Sequence, residues 1–100
     1  MSIDRVAVLG GGLMGSGIAE SVARSGVPVV VRDVDATAFE AARGRIESSL
    51  GHARERGKID AAGYEEILAR ITYTDRLEDI ADVDLVIEAV PENAELKAAI

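Results

Sequence analysis

The spacing of apolar residues changes period several times along the chain. Residues 3–9 form a short run rich in β-branched side chains that closes on Gly10-Gly11-Gly12, the pattern of a buried parallel strand meeting a tight turn. From Leu13 the period lengthens. Met14, Ile18 and Val22 recur four residues apart with Ala19 and Ala23 beside them, which predicts a helix laid on a sheet by its apolar stripe and stopped at Gly26. Residues 27–31 are again continuously apolar and then break into Arg32-Asp33-Val34-Asp35, so a second buried strand is expected to end at a charged rim.

Asp35 can cap the next helix by accepting a backbone hydrogen bond, and Phe39, Ala42, Ile46 and Leu50 mark its buried face. Gly57-Lys58 interrupts that helix. Asp60 can cap another, along which Tyr64, Ile67, Leu68 and Ile71 follow at i, i+3, i+4 and i+7. The pair makes a helical hairpin between strands two and three. Residues 71–74 suit a short third strand, 76–80 a brief helix and 83–90 a fourth strand, after which Pro91 suits the first turn of one more helix. Strands alternating with helices require crossover connections, almost always right-handed. The expected fold is therefore α/β, a Rossmann-type parallel sheet in order 3-2-1-4 with the hairpin inserted between strands 2 and 3. One domain over residues 1–100 accounts for the whole pattern, with strand four left as an apolar edge able to pair with another chain.

Composition narrows the picture. Phe39, Tyr64 and Tyr73 are the only aromatic residues although 48% of the chain is hydrophobic, so the core must be built from Val, Ile, Leu and Ala. A formal net charge of −7 argues against nucleic acid, whose binding needs clustered Lys and Arg to displace counterions. The lack of cysteine excludes disulfides, thiolate metal sites and thiol nucleophiles, and fits a reducing compartment, with cytoplasm the default. The apolar runs near Val6 and Val30 are far shorter than the roughly 20 residues a membrane helix needs, and no metal site is expected.

Gly10, Gly12 and Gly15 fit G-x-G-x-x-G between a strand and a helix. In such a turn the first glycine permits the tight bend, the second lets backbone approach a pyrophosphate, and the third lets helix and strand pack closely. The helix N-terminus adds unpaired N–H groups and partial positive charge where a diphosphate would lie. An ordinary glycine-rich loop is the competing account, and the placement favours the nucleotide. Asp33 stands eighteen residues after Gly15, at the end of strand two, where a carboxylate can accept hydrogen bonds from adenosine ribose hydroxyls. That selects NAD. A 2′-phosphate would meet like charge unless Arg32 swung over to receive it, and strand alternation points Arg32 the other way. The alternative is a solvated strand-end aspartate. No Gly-Lys-Ser or Gly-Lys-Thr follows the glycines, which excludes an ATPase-type loop, and Val8-Leu9 stand where methyltransferase-type turns usually carry an acid.

The run Val6-Ala7-Val8-Leu9-Gly10-Gly11-Gly12-Leu13-Met14-Gly15-Ser16-Gly17-Ile18-Ala19 resembles the opening of 3-hydroxyacyl-CoA dehydrogenases. Gly26-Val27-Pro28-Val29-Val30, Glu55-Arg56-Gly57-Lys58-Ile59-Asp60 and Asp84-Leu85-Val86-Ile87-Glu88-Ala89-Val90-Pro91-Glu92-Asn93 are similar to the same family, so the resemblance spans essentially the whole chain. It implies oxidation of an (S)-3-hydroxyacyl-CoA to the 3-ketoacyl-CoA with hydride passing to NAD. Matched by position, Leu13 and Met14 line the diphosphate turn, Asp33 holds the adenosine ribose, and Ala89, Val90, Pro91, Glu92 and Lys97 follow the cofactor toward its nicotinamide end. Glu88 stays open between a site role and a solvated strand end. Arg54, Arg56 and Lys58 are read as a basic helix end answering the dipole, although the family brings CoA near this region.

The resemblance further implies a catalytic His paired with a Glu, both beyond the segment matching Ile100, and a helical domain that forms a homodimer and closes over the acyl-CoA. His52 is read as a surface residue of the hairpin. No catalytic residue is assigned within the chain, which taken alone is expected to bind cofactor without turnover. A relative acting on a non-CoA hydroxy acid, or a nucleotide-binding module without chemistry, are the alternatives.

Overall fold

The computed structural model describes residues 3–90 and 93–98, with only the backbone described at position 90 and over 93–98. Four parallel strands, β1 (Val6–Leu9), β2 (Val29–Arg32), β3 (Ile71–Thr74) and β4 (Leu85–Val90), stand in the order β3-β2-β1-β4. Between them run α1 (Leu13–Arg24), α2 (Ala36–Glu55), α3 (Ala61–Ala69) and a 3-10 turn (Leu77–Ile80). The expected sheet order and the α2–α3 hairpin are both present.

Strand alternation explains the layering. Val6 and Val8 of β1, Val29 and Val31 of β2, Ile71 of β3 and Ile87 of β4 share one sheet face, and they form a single core with Ala19 and Ala23 of α1, Ala42, Ile46 and Leu50 of α2, and Ile67 of α3. All three helices thus cover the same face. Asp35 caps α2 by accepting from the Ala38 N–H at 2.8 Å, and Asp60 caps α3 by accepting from the Gly63 N–H at 2.7 Å. At the opposite end of the strands the Asp84 carboxylate accepts from the N–H groups of Asp4 and Arg5 at 2.8 and 3.0 Å, which fixes the entry of β1 beside β4.

Three expectations are corrected. The buried stripe of α1 is Gly15, Ser16, Ala19 and Ala23, whereas Met14 is exposed and Ile18 and Val22 only flank the core. Small residues win because the helix lies too close to the sheet to admit large ones. Second, β2 begins at Val29, with Val27 and Pro28 leading into it, since proline offers no N–H to a central strand's ladder. Third, the helix expected from Pro91 gives way to a strand. Pro91 and Glu92 lie outside the described residues, but β5 (Asn93–Ala98) runs back antiparallel along β4, pairing Val90 with Asn93 and Leu85 with Ala98. The unpaired edge of β4 is an acceptor for any extended segment, and hairpin pairing meets that demand within the chain. The expected bare edge for intermolecular pairing is therefore covered.

Tyr73 of β3 packs beneath α2, with the Arg43 guanidinium 4.8 Å from its ring centre and Phe39 6.4 Å away. Its hydroxyl is buried and finds no hydrogen-bond partner among the described residues. Loss of solvent, against a smaller opposing effect from Arg43, pushes the phenol up to about 12 from its ordinary 10. A raised pKa means stability present below pH 10 and lost as pH rises through 12. Denaturant unfolding at pH 9 and pH 11.5 should show a loss of up to about 2 kcal/mol, solvent screening included, that Tyr73→Phe abolishes. An equal loss in both proteins would refute this assignment.

Candidate functional site

The site forms where β1, α1, β2 and β4 converge at the carboxyl ends of the strands, the rim at which strand order reverses. Gly10 leaves β1 with φ of +96°, a conformation side chains resist, and a Cβ there would lie 2.4 Å from the Ala89 carbonyl oxygen of β4. At Gly15 a Cβ would stand 1.8 Å from the Gly10 carbonyl oxygen, so the first turn of α1 is pressed against the strand end that precedes it. Gly12 differs from both. Its missing side chain would meet nothing within 4 Å, because that side of the turn faces an open groove.

Gly12 is also the N-cap of α1, and it offers no side chain to the first-turn N–H groups, nor does that turn contain an acidic residue. Those donors and the positive end of the helix are thus left for an anion. The groove has a volume of about 440 Å³ and is lined by Gly10, Gly11, Gly12, Leu13, Met14, Gly15, Asp33 and Ala89. Leu13, Met14 and neighbouring Val34 are exposed apolar side chains at this rim.

Gly11 stands outside the G-x-G-x-x-G spacing, which gives no hint of its surroundings. It is buried, and a Cβ there would meet Ala42 at 2.7 Å, the Asp33 carboxylate at 3.2 Å and Val31 at 3.3 Å. Its N–H donates to Asp33 Oδ2 at 2.7 Å, while its carbonyl accepts from Ser16 Oγ at 2.8 Å and Arg45 Nη1 at 2.9 Å. A third consecutive glycine is the only sequence signal for this. Ser16 and Arg45 carry none, because the contacts depend on how helices cross the turn.

Asp33 comes directly after β2. Its second oxygen accepts from the Val34 N–H at 2.8 Å, and its own N–H donates to Thr74 at 3.0 Å, so the carboxylate is aimed at the turn and fixed there. Arg32 turns away, donating through Nε to the Asp75 carbonyl at 3.3 Å. The structure therefore brings Gly10, Gly12, Leu13, Met14, Gly15, Asp33 and Ala89 to one groove. Pro91 and Glu92 lie outside the described residues, as do the side chains of Val90 and Lys97. The backbone of Lys97 pairs with Val86, low on β4, rather than at the rim. Glu88 sits half-buried opposite Leu9 of β1.

A second cleft, of about 410 Å³, gathers Arg24 of α1 with Ser49, His52 and Ala53 of α2, and with Arg56 and Lys58 beyond its end. Arg24 is also paired with Glu20 at 3.5 Å. Arg54 lies elsewhere, over the ring of Tyr64 at 5.4 Å. The basic residues of the hairpin thus do not act as one group.

A parallel sheet with an uncapped, glycine-lined helix N-terminus facing an aspartate at the end of β2 defines a dinucleotide-binding fold of the Rossmann type. The sequence profile described as 3-hydroxyacyl-CoA dehydrogenase, NAD binding domain, matches residues 5–100, and the chain belongs to that family. A probable 3-hydroxybutyryl-CoA dehydrogenase of Deinococcus radiodurans is 47% identical over 90 residues, which are 90% of this chain and 32% of that protein. The fatty acid oxidation complex subunit alpha of Psychrobacter cryohalolentis is 41% identical over 98 residues, 98% of this chain and 14% of that protein. Among solved structures, FadB2 of M. tuberculosis superposes with a TM-score of 0.89 at 44% identity, covering 93% of this chain and 33% of that one. The chain spans about a third or less of the length of these relatives.

The three glycines should separate in mutagenesis. Gly15→Ala should destabilise the fold by several kcal/mol, because the clash is with backbone that cannot yield, as in overpacked cores. Gly12→Ala, with free space and an ordinary backbone conformation, should cost less than about 1 kcal/mol. Urea denaturation of both variants checks this, and equal losses would contradict the geometry.

Proposed function

We propose that this chain is the nucleotide-holding part of an NAD-dependent oxidoreductase that converts (S)-3-hydroxyacyl-CoA to 3-ketoacyl-CoA. The observation that carries the reading is the groove between the uncapped N-terminus of α1 and the fixed carboxylate of Asp33. NAD suits this donor set. The first-turn amides of α1 would meet its diphosphate, with Gly12 leaving room, and Asp33 would accept from its ribose hydroxyls through lone pairs that the Gly11 and Val34 amides leave unused. Leu13, Met14 and Ala89 supply apolar surface against which the nucleotide would lie. Val90, Pro91 and Glu92 extend the cofactor contacts toward the nicotinamide end, a role that rests on the resemblance; the resemblance gives Lys97 the same role, but its backbone pairs with Val86, low on β4 and away from the groove. Bound NAD would supply the hydride acceptor for the alcohol carbon.

The acyl-CoA assignment draws support from the relatives' names. The base that takes the hydroxyl proton belongs, in this reading, to the remainder of a homodimeric parent enzyme working in the cytoplasm. Among the described residues no helix is long and apolar enough to cross a membrane.

Titration calorimetry should show NADH binding at least about tenfold tighter than NADPH, since Asp33 repels a 2′-phosphate and Arg32 is engaged elsewhere. Asp33→Asn keeps an acceptor for the Gly11 N–H while removing the charge, and should narrow that preference. Equal affinities in the unsubstituted chain would overturn the role given to Asp33.

A further inference from the structure

We propose that Arg45 of α2 is a positioning residue for the nucleotide turn, acting through the Gly11 carbonyl to aim the Gly12 N–H into the groove. The inference rests on the reading of that groove as the dinucleotide seat.

Peptide geometry supplies the link. In a planar trans peptide the C=O of one residue and the N–H of the next point in opposite directions. The Gly11 carbonyl and the Gly12 N–H share one such plane, so whatever fixes the first fixes the second. Arg45 Nη1 at 2.9 Å and Ser16 Oγ at 2.8 Å both hold the Gly11 carbonyl on the side of the helices. The Gly12 N–H is thereby directed to the opposite side, where the space beside Gly12 is open. A cation bonded to a carbonyl also polarises the peptide and makes its N–H a stronger donor.

Arg45 takes part in none of the ion pairs formed among the described residues, which engage Arg5, Arg24, Arg43, Arg70 and Arg76 instead. Its contact with Gly11 spans 34 residues of sequence, which local helix geometry alone does not produce. Beside it lies a hollow of about 130 Å³ between α1 and α2, bordered by Leu13, Ser16, Gly17, Glu20, Ile46 and Ser49 as well as Arg45. No other cation among these borders the turn, so a shortened side chain at 45 has no ready substitute. The carbonyl would keep Ser16 alone, and the peptide would gain freedom to rock.

The test compares Arg45→Met, which keeps the stem and removes the donors, with Arg45→Lys, which keeps the charge. In the nucleotide-free chain, amide exchange at Gly11, whose N–H is held by Asp33, should speed up about tenfold in Arg45→Met relative to the β2 amides, the effect of losing one charge-assisted hydrogen bond. NADH affinity should fall by a similar factor, with Arg45→Lys recovering part of both losses. Unchanged Gly11 exchange in Arg45→Met overturns the proposal whether or not NADH binds. So does an affinity loss that occurs without any change in exchange, because that marks a distant charge effect. Failure of the unsubstituted chain to bind NADH would instead defeat the reading of the groove, while the exchange comparison would still decide whether Arg45 holds the turn.

Discussion

The architecture of the site depends on one close approach: the backbone of Gly11 lies between the Asp33 carboxylate and the Cβ of Ala42, in a gap that no side chain at 11 could share. Through this residue β2, α1 and α2 all grip the loop leaving β1. The Asp33 bond comes from the residue that follows β2, the Ser16 bond from the first helix and the Arg45 bond from the second. Buried polar backbone must be satisfied somewhere, and here its partners are distributed among the elements that surround a ligand. The turn is consequently a product of the tertiary fold, in addition to being a glycine-rich sequence.

That explains which parts are legible in the sequence. The apolar runs at 29–31 and 85–87 and the caps at Asp35 and Asp60 announce themselves because they answer to local rules of period and capping. The strand order comes from the handedness of crossovers. The stripe of α1 misleads because hydrophobicity ranks Met14 above Ser16, whereas distance from the sheet ranks Ser16 first. Arg45 cannot be found from its neighbours in sequence, since nothing local distinguishes it from the solvated arginines Arg43 and Arg54. For the segment after β4, the preference of proline for a first helical turn is a weak local signal beside the open ladder of a neighbouring strand.

The hairpin formed by α2 and α3 has two consequences for the site. Its first half supplies Ala42 and Arg45 to the nucleotide turn, and its far end, together with Arg24, surrounds the basic cleft. A single twenty-residue helix therefore touches both places. The second crossover thus supplies contacts to the glycine turn as well as reversing the chain.

The Asp33 carboxylate offers a last point. Held by the Gly11 N–H on one oxygen and the Val34 N–H on the other, it has no rotamer left to choose. The entropy of ordering that side chain is lost when the protein folds and would not recur on binding of a sugar, so recognition in the proposed role would subtract little from the gain of each new hydrogen bond. In the role proposed for Asp33, discrimination between nucleotides would fall to a rigid charge, which cannot swing aside to accommodate an ill-fitting substituent.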